Sequence, residues 1–229
     1  MKAIDTLQRG LGVNFRCRGF IKAELFTEEQ AEAMYQAGFR RLLCGFESGS
    51  PKILKNINKV ATKEDNTRVI EIAKKHGLEV KALMSIGHPG ETEQTIRETQ
   101  NWLLETKPAD FDATIITTYP GSPYYDDAVP TEDPKVWKYQ VNGDVLYSYE
   151  LNYSQVEDYY KGAIGEYKSY VYTDHLSPGD LVALRDRTEQ LVRTELDIPF
   201  YAARDVQLIE HSFGGSLPVS ILRKSGETS

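Results

Sequence analysis

The chain has 229 residues, 27 basic and 34 acidic, for a formal net charge of −7. With 40% hydrophobic and 27% charged residues it reads as an ordinary globular protein, which excludes collagen-like, coiled-coil and wholly disordered classes. Its acidic balance argues against a nucleic-acid backbone as partner, no apolar run approaches the ~18 residues of a membrane span, and its two cysteines, Cys17 and Cys44, are too few for a structural zinc site or a cuboidal iron–sulfur cluster and suit the cytoplasm.

In chain order, residues 13–20 predict a strand. Thr27-Glu28-Glu29-Gln30 is a capping box that opens a helix over 27–37, closed by Gly38. Residues 39–46 form the next strand, and Ser50-Pro51 starts a short helix with Ser as cap. Thr62 to Asp65 caps a second long helix, 62–76, with Val69, Ile70, Ile72 and Ala73 as its apolar stripe. A strand at 78–86, a helix at 92–106 and a strand at 111–118 follow. Strands separated by helices pair in parallel through right-handed crossovers. The expected fold is therefore α/β, with four strands in sequence order and the long helices on the convex side.

This unit holds about three βα repeats and a final strand, well short of the ~250 residues of an eightfold barrel. A first domain over 1–128 and an extension over 129–229 are expected. The extension opens with a hairpin turning at Asn142-Gly143. A Tyr-rich segment follows (Tyr153, Tyr159, Tyr160, Tyr167, Tyr170, Tyr172), then a helix from Ser177-Pro178 and a frayed tail from about Ser212. Without an opposite wall, the concave side of the sheet is expected to expose apolar side chains.

Parallel α/β folds place function at the carboxyl ends of their strands. Here those ends deliver Glu47-Ser48-Gly49-Ser50, Gly87-His88-Pro89-Gly90-Glu91 and Tyr119-Pro120-Gly121-Ser122-Pro123. The two Pro-Gly pairs read as type II turns forming a rigid rim. Glu47 would stand just inside it, as a carboxylate able to pair an ammonium group.

The runs Gly45-Phe46-Glu47-Ser48-Gly49-Ser50, Ile53 to Lys59 and Ser85-Ile86-Gly87-His88-Pro89-Gly90-Glu91-Thr92 resemble the second half of the radical S-adenosylmethionine superfamily. The likeness is to the branch often associated with a cobalamin-binding domain, and it runs from about Gly19 to Ala128. It implies the carboxyl-terminal half of a partial TIM-type barrel. It also implies S-adenosyl-L-methionine as cofactor, with a [4Fe–4S] cluster bound by a C-x3-C-x2-C loop that this chain lacks, and cobalamin as a further candidate. The implied partners are a small-molecule substrate and the missing N-terminal half-barrel.

Residue by residue, the resemblance assigns Glu47 to the methionine moiety and Lys59 to its carboxylate. Lys22 stands where relatives often carry Arg. Leu83 falls where several branches place an acidic ribose contact, and Ser85, on the same strand face, is its replacement. Competing readings stay open. Glu47 could cap the short helix, and Lys59 and Lys22 could be solvated lysines. His88 reads as a solvated turn histidine, His76 as a charge at a helix C-terminus, Cys17 and Cys44 as buried strand residues, and the tyrosines as packing for the hairpin. At the level of function, a non-catalytic half-barrel used for binding or assembly is the alternative, and a lyase with Glu47 as base is a third reading.

Overall fold

The computed structural model describes residues 1–151, 164, 165 and 167–200. The element order is α1 (Lys2–Leu11), β1 (Cys17–Ile21), α2 (Glu28–Gln36), β2 (Phe39–Glu47), α3 (Pro51–Asn56), α4 (Lys63–Lys75), β3 (Glu79–Ile86), α5 (Glu93–Thr106), β4 (Asp110–Ile115), α6 (Pro123–Asp126), β5 (Val129–Pro130), β6 (Val136–Val141), β7 (Asp144–Tyr149), β8 (Val171–Thr173) and α7 (Pro178–Glu195). Two four-stranded sheets result, in the orders β1-β2-β3-β4 and β5-β6-β7-β8.

The first sheet is parallel throughout, as the helix-separated strands require. Thr27 and Gln30, Thr62 and Asp65, and Ser177 and Asp180 form reciprocal capping boxes, and Thr92 does the same with Thr95. Each box satisfies two orphan N–H groups and fixes where a helix begins. One sheet face is fully covered by these helices. Leu42, Cys44, Phe46, Val80, Ala82, Met84, Ile86, Phe111 and Ala113 alternate along three strands and are buried with Val69, Ile70, Ile96, Trp102 and Leu103. The Phe46 and Trp102 rings meet edge to face with centroids 5.2 Å apart, the arrangement that aromatic quadrupoles favour.

Several expectations change. Residues 13–16 do not join β1. They link it to α1, a helix whose N-cap residue makes no side-chain cap bond and whose main local support is the Arg9–Asp5 pair at 2.6 Å. Without an N-cap side chain before it, α1 carries no start signal. Ser50 sits at the N-cap position of α3, but its oxygen makes no cap bond; Ser48 Oγ instead accepts from Ser50 N at 3.1 Å. The open face of the sheet is more polar than a wall-less barrel suggested. Phe20 is 76% exposed there, yet Lys81 bridges Asp110 at 3.5 Å and Asp112 at 2.8 Å on neighbouring β4. Cys17 is half-buried rather than buried. Tyr153, Tyr159, Tyr160 and the segment from Ser212 lie outside the described residues.

The second sheet is antiparallel, and its β6–β7 hairpin turns at Asn142 (φ 50°) and Gly143 (φ 85°). Two successive positive φ angles make the two-residue turn whose twist matches the strands. This hairpin lies against the strand-end rim of the first sheet. Asp144 Oδ1 accepts from Lys52 Nζ at 2.9 Å and Asp144 Oδ2 from Asn56 Nδ2 at 2.9 Å. Asn56 also donates to Pro89 O at 2.9 Å, and Asn142 Nδ2 donates to Asn56 Oδ1 at 3.1 Å. A Cβ on Gly90 would lie 2.5 Å from the Asp144 carboxyl carbon, and Gly90 has φ +80°, so only glycine serves here.

Candidate functional site

The site is built at the carboxyl ends of β2 and β3. β2 and β3 pair in register up to Gly45–Leu83, and then Glu47, not Phe46, pairs with Met84. This one-residue bulge, with Glu47 at φ 66°, re-aims the last side chain of the strand. Glu47 holds a left-handed conformation that non-glycine residues adopt at a cost of order 1–3 kcal/mol, and such strain gathers where a side chain must be placed for use. Gly45 leaves room for it, since a Cβ there would stand 2.5 Å from Glu47 Oε1.

Three of the four sequence-derived site residues meet. Lys59 Nζ lies 3.4 Å from Glu47 Oε1, with both side chains about a third exposed (27% and 31%). Ser85 Oγ donates to Glu47 Oε2 at 2.9 Å. Lys22 does not join them. It follows β1, is exposed, and makes no hydrogen bond or ion pair with Glu47, Lys59 or Ser85 among the described residues.

Two residues extend the site beyond the sequence reading. His88 is buried at 6% exposure, not solvated in a turn. Its Nε2 is 2.7 Å from Ser85 Oγ and its Nδ1 is 3.0 Å from Tyr124 OH. Tyr124 packs edge to face on Tyr139 of β6, with centroids 5.0 Å apart. Burial drives the His88 imidazole neutral, with its pKa down to about 3. The signal was present in the sequence. A histidine stands inside a Gly-x-Pro-Gly-Glu loop where an apolar residue is usual, three positions after Ser85. Such a position is buried, and a buried imidazole needs partners for both nitrogens.

The rim itself is rigid. Both Pro-Gly turns close with an i to i+3 bond, Glu91 N to His88 O at 3.0 Å and Ser122 N to Tyr119 O at 3.0 Å. Glu91, at the end of the first, is 2% exposed. It accepts from Gly87 N at 3.2 Å and Thr95 Oγ1 at 2.6 Å, and burial pushes its carboxyl up to about 7. Its role is to tie the loop to the start of α5. Ser48 and Gly49 do likewise, meeting Thr99 Oγ1 at 3.0 Å each. Much of what makes these motifs distinctive is therefore loop anchoring, with Glu47 and Ser85 as the groups left facing outward. His76 pairs with Glu28 Oε2 at 3.2 Å at the end of α4, on the helix side.

A four-stranded parallel sheet with one covered face, an open face and polar groups gathered at its strand ends is part of a (β/α) barrel-type fold. Residues 2–103 match the family model described as the radical SAM superfamily. An uncharacterized methyltransferase of Pyrococcus horikoshii is 32% identical over 141 residues, which cover 61% of this chain and 27% of the relative. The bacteriochlorophyllide d C-12(1)-methyltransferase of Chlorobaculum tepidum is 26% identical over 100 residues, covering 43% of this chain and 22% of that enzyme. The chain thus spans about a quarter of the length of these relatives. Among solved structures, the radical S-adenosylmethionine methyltransferase TsrM from Kitasatospora setae, with cobalamin and a [4Fe–4S] cluster bound, superposes with a TM-score of 0.53 at 19% identity, over 62% of this chain and 30% of that one. That likeness establishes the shared fold.

The donors present can be tested against the family's groups. The amino-acid end of S-adenosylmethionine offers an ammonium and a carboxylate, and Glu47 and Lys59 present the complementary charges 3.4 Å apart on an open rim. The set fits. A [4Fe–4S] cluster needs three or more cysteine thiolates. Burial pushes the Cys44 thiol up to about 12, and among the described residues no group of three or more His, Cys, Asp or Glu side chains could hold a metal. These residues do not fit a cluster. No described helix is long and apolar enough to cross a membrane.

Proposed function

We propose that this chain supplies the carboxyl-terminal strands of a radical SAM enzyme and holds the amino-acid end of S-adenosylmethionine. In this reading the cluster-binding loop and the first βα units belong to a further segment or partner chain, and the substrate is a small molecule bound on the same strand-end face. Glu47 receives the cofactor ammonium at Oε1. Lys59, now resting on that oxygen, turns to the cofactor carboxylate, and Ser85 stands beside the ribose. Lys22 is left as a solvated lysine at the rim. The bound cofactor supplies the radical chemistry. The protein's part is to orient it and to keep water away through the hairpin and the Pro-Gly rim.

The observation that carries this reading is the Glu47–Lys59 pair with Ser85 at 2.9 Å, assembled from two strand ends by a bulge whose geometry is costly. An exposed ion pair contributes little stability, so strain spent on presenting one is better explained by a ligand of matching charges. Equilibrium binding of S-adenosylhomocysteine, which keeps the ammonium and carboxylate, tests it. The full chain would be measured alone and with a separately expressed segment bearing a C-x3-C-x2-C loop. Binding that weakens at least tenfold in Glu47→Gln and Lys59→Met is expected. Undiminished binding in Glu47→Gln, or none with either preparation, would overturn the reading.

A further inference from the structure

Building on that reading of Glu47 as the ammonium partner, we infer that His88 and Tyr124 are positioning residues that orient the Glu47 carboxylate through Ser85, leaving Oε1 as its outward acceptor. The argument is a count of donors and acceptors. Glu47, paired with Lys59, only accepts. Its 2.9 Å bond from Ser85 Oγ to Oε2 therefore consumes the single proton of Ser85. The 2.7 Å contact between Ser85 Oγ and His88 Nε2 must then be donated by the imidazole. A neutral ring with its hydrogen on Nε2 has a bare Nδ1, and the Tyr124 hydroxyl 3.0 Å away is the donor to it. The bonds run one way: Tyr124 to His88, His88 to Ser85, Ser85 to Glu47.

Each link excludes its reverse. A free serine hydroxyl rotates to suit whatever acceptor is near; here one lone pair is taken by His88 and the proton can point only at Glu47. His88 is locked as a neutral donor by burial and by its two partners. The Tyr124 ring is held by Tyr139, which belongs to β6. The second sheet thereby sets the start of a chain that ends at the carboxylate. Burial, with Tyr139, Glu91 and Glu47 nearby, holds the Tyr124 hydroxyl in its protonated form. A binding carboxylate fixed in this way meets its ligand without reorganising, which is the benefit of preorganisation.

Side-chain 15N NMR of the full chain near neutral pH tests this, with the His88 signals assigned by their loss in His88→Gln. The wild-type ring should carry its hydrogen on Nε2. In Glu47→Ala the Ser85 proton is released and can turn to His88, so the ratio of the Nε2–H to the Nδ1–H form should fall by roughly fivefold or more, the worth of one hydrogen bond. The hydrogen bonds of His88 go to Ser85 and Tyr124 and not to Glu47, so a purely packing role would leave its tautomer unmoved by that change. Lys59→Met should leave the ratio as it is. Ser85→Ala removes the acceptor of Nε2–H and should shift the ratio in the same direction, which keeps the test available if Glu47→Ala fails to fold. A wild-type hydrogen on Nδ1, or a ratio unchanged in both variants, overturns the inference. In the binding assay, His88→Leu should raise the Kd for S-adenosylhomocysteine about fivefold, and His88→Gln, whose amide can donate as Nε2 does, should restore it. A tautomer coupling that holds in a chain that binds no S-adenosylhomocysteine would sink the cofactor reading and keep the coupled chain. Binding that holds without the coupling would sink this inference alone.

Discussion

The two edges of the parallel sheet are finished in opposite ways. At β4 the edge is sealed by side chains of α7. Glu189 Oε1 accepts from Ala113 N at 2.7 Å, Arg185 Nε donates to Ala113 O at 2.8 Å, and Arg193 Nη2 donates to Phe111 O at 2.6 Å. These are the bonds a next strand would have made, and Arg193 also pairs with Asp110 and Glu189. At β1 no strand pairs the outer edge among the described residues. Met1, Leu7, Leu11, Val13, Phe20 and Leu25 are exposed in this first part of the chain. An unpaired strand flanked by exposed apolar groups is a template for more sheet. The contrast teaches where the barrel can grow. Among the described residues the sheet is closed at β4 and open to extension at β1, which agrees with the proposal that the first βα units come from a further segment or partner chain.

The largest expected effect breaks the seal. Arg193 is 3% exposed at its side chain, and Arg193→Ala takes from buried Asp110 and Glu189 their shared cation, leaving Asp110 to Lys81 at 3.5 Å and Glu189 to Arg185 at 3.7 Å. Removing one partner of a buried pair costs about 3–5 kcal/mol, read as a shift in the urea midpoint at constant slope. A loss under ~1 kcal/mol would mean that α7 merely rests on the edge.

The next prediction uses pH, because the rim at the end of β3 buries two titratable groups. Burial raises Glu91 from 4.5 to about 7 and lowers His88 from 6.5 to about 3. For Glu91 the folded state holds a proton that the unfolded state has lost, so its contribution falls as pH climbs from about 4.5 to 7. For His88 the unfolded state holds the proton, so its contribution rises as pH climbs from about 3 to 6.5. The two oppose each other between about 4.5 and 6.5. Wild-type stability should be nearly flat there. Glu91→Gln should unmask a rise with pH, and His88→Gln a fall, each with a slope of at most about 1.4 kcal/mol per pH unit. Denaturant titrations at four or five pH values decide it; equal slopes in both variants would contradict the burial assigned to these two groups.

Between the two edges lies the site, where function and stability should separate. Gly45→Ala places a methyl 2.5 Å from Glu47 Oε1 and 3.7 Å from Lys59 Nζ. The obstructed atom is the end of a flexible side chain, so stability should change by less than about 1 kcal/mol. The Glu47–Lys59 geometry should nevertheless be displaced and S-adenosylhomocysteine binding weakened several-fold. Unchanged binding would show that the space above Gly45 is not needed for the carboxylate.

Much of this was legible in the sequence. Capping boxes and helix-stopping glycines gave the order β1-α2-β2-α4-β3-α5-β4, because those signals are local. Glu47 and Ser85 followed from strand-end logic and motif likeness. What stayed hidden was long-range. The bulge at Phe46 is visible only in the pairing with β3. The contacts of Tyr124 with His88 and of Asp144 with Lys52 join segments 36 and 92 positions apart. The seal at β4 is built from charged residues on α7 whose helical spacing reads as an ordinary solvated face, and only their partner strand turns Arg185, Glu189 and Arg193 into a lid. Lys22, after β1, and Lys59, after the short helix α3, both read as cations at the strand-end face, but a lysine's reach is settled by the loop around it.

The smallest stability effect belongs to the open edge, and it is the sharpest test of the comparison. Phe20 is 76% exposed on β1, and Leu7 and Leu11 are 51% and 61% exposed on α1. Removing apolar surface that is already in water costs the fold almost nothing, so Phe20→Glu and Leu7→Glu should change stability by no more than about 0.5 kcal/mol. Their effect should fall on association. A charge set in the middle of an edge opposes strand addition, so Phe20→Glu should reduce self-association of the isolated chain at high concentration, measured by sedimentation, and should weaken capture of a segment carrying the preceding βα units. A substitution on α5's solvated face, such as Arg97→Glu beside Glu93, should leave both readouts alone. If Phe20→Glu instead costs more than ~1 kcal/mol in the monomer, the β1 edge is already covered within this chain, and the sheet has two sealed edges, not one.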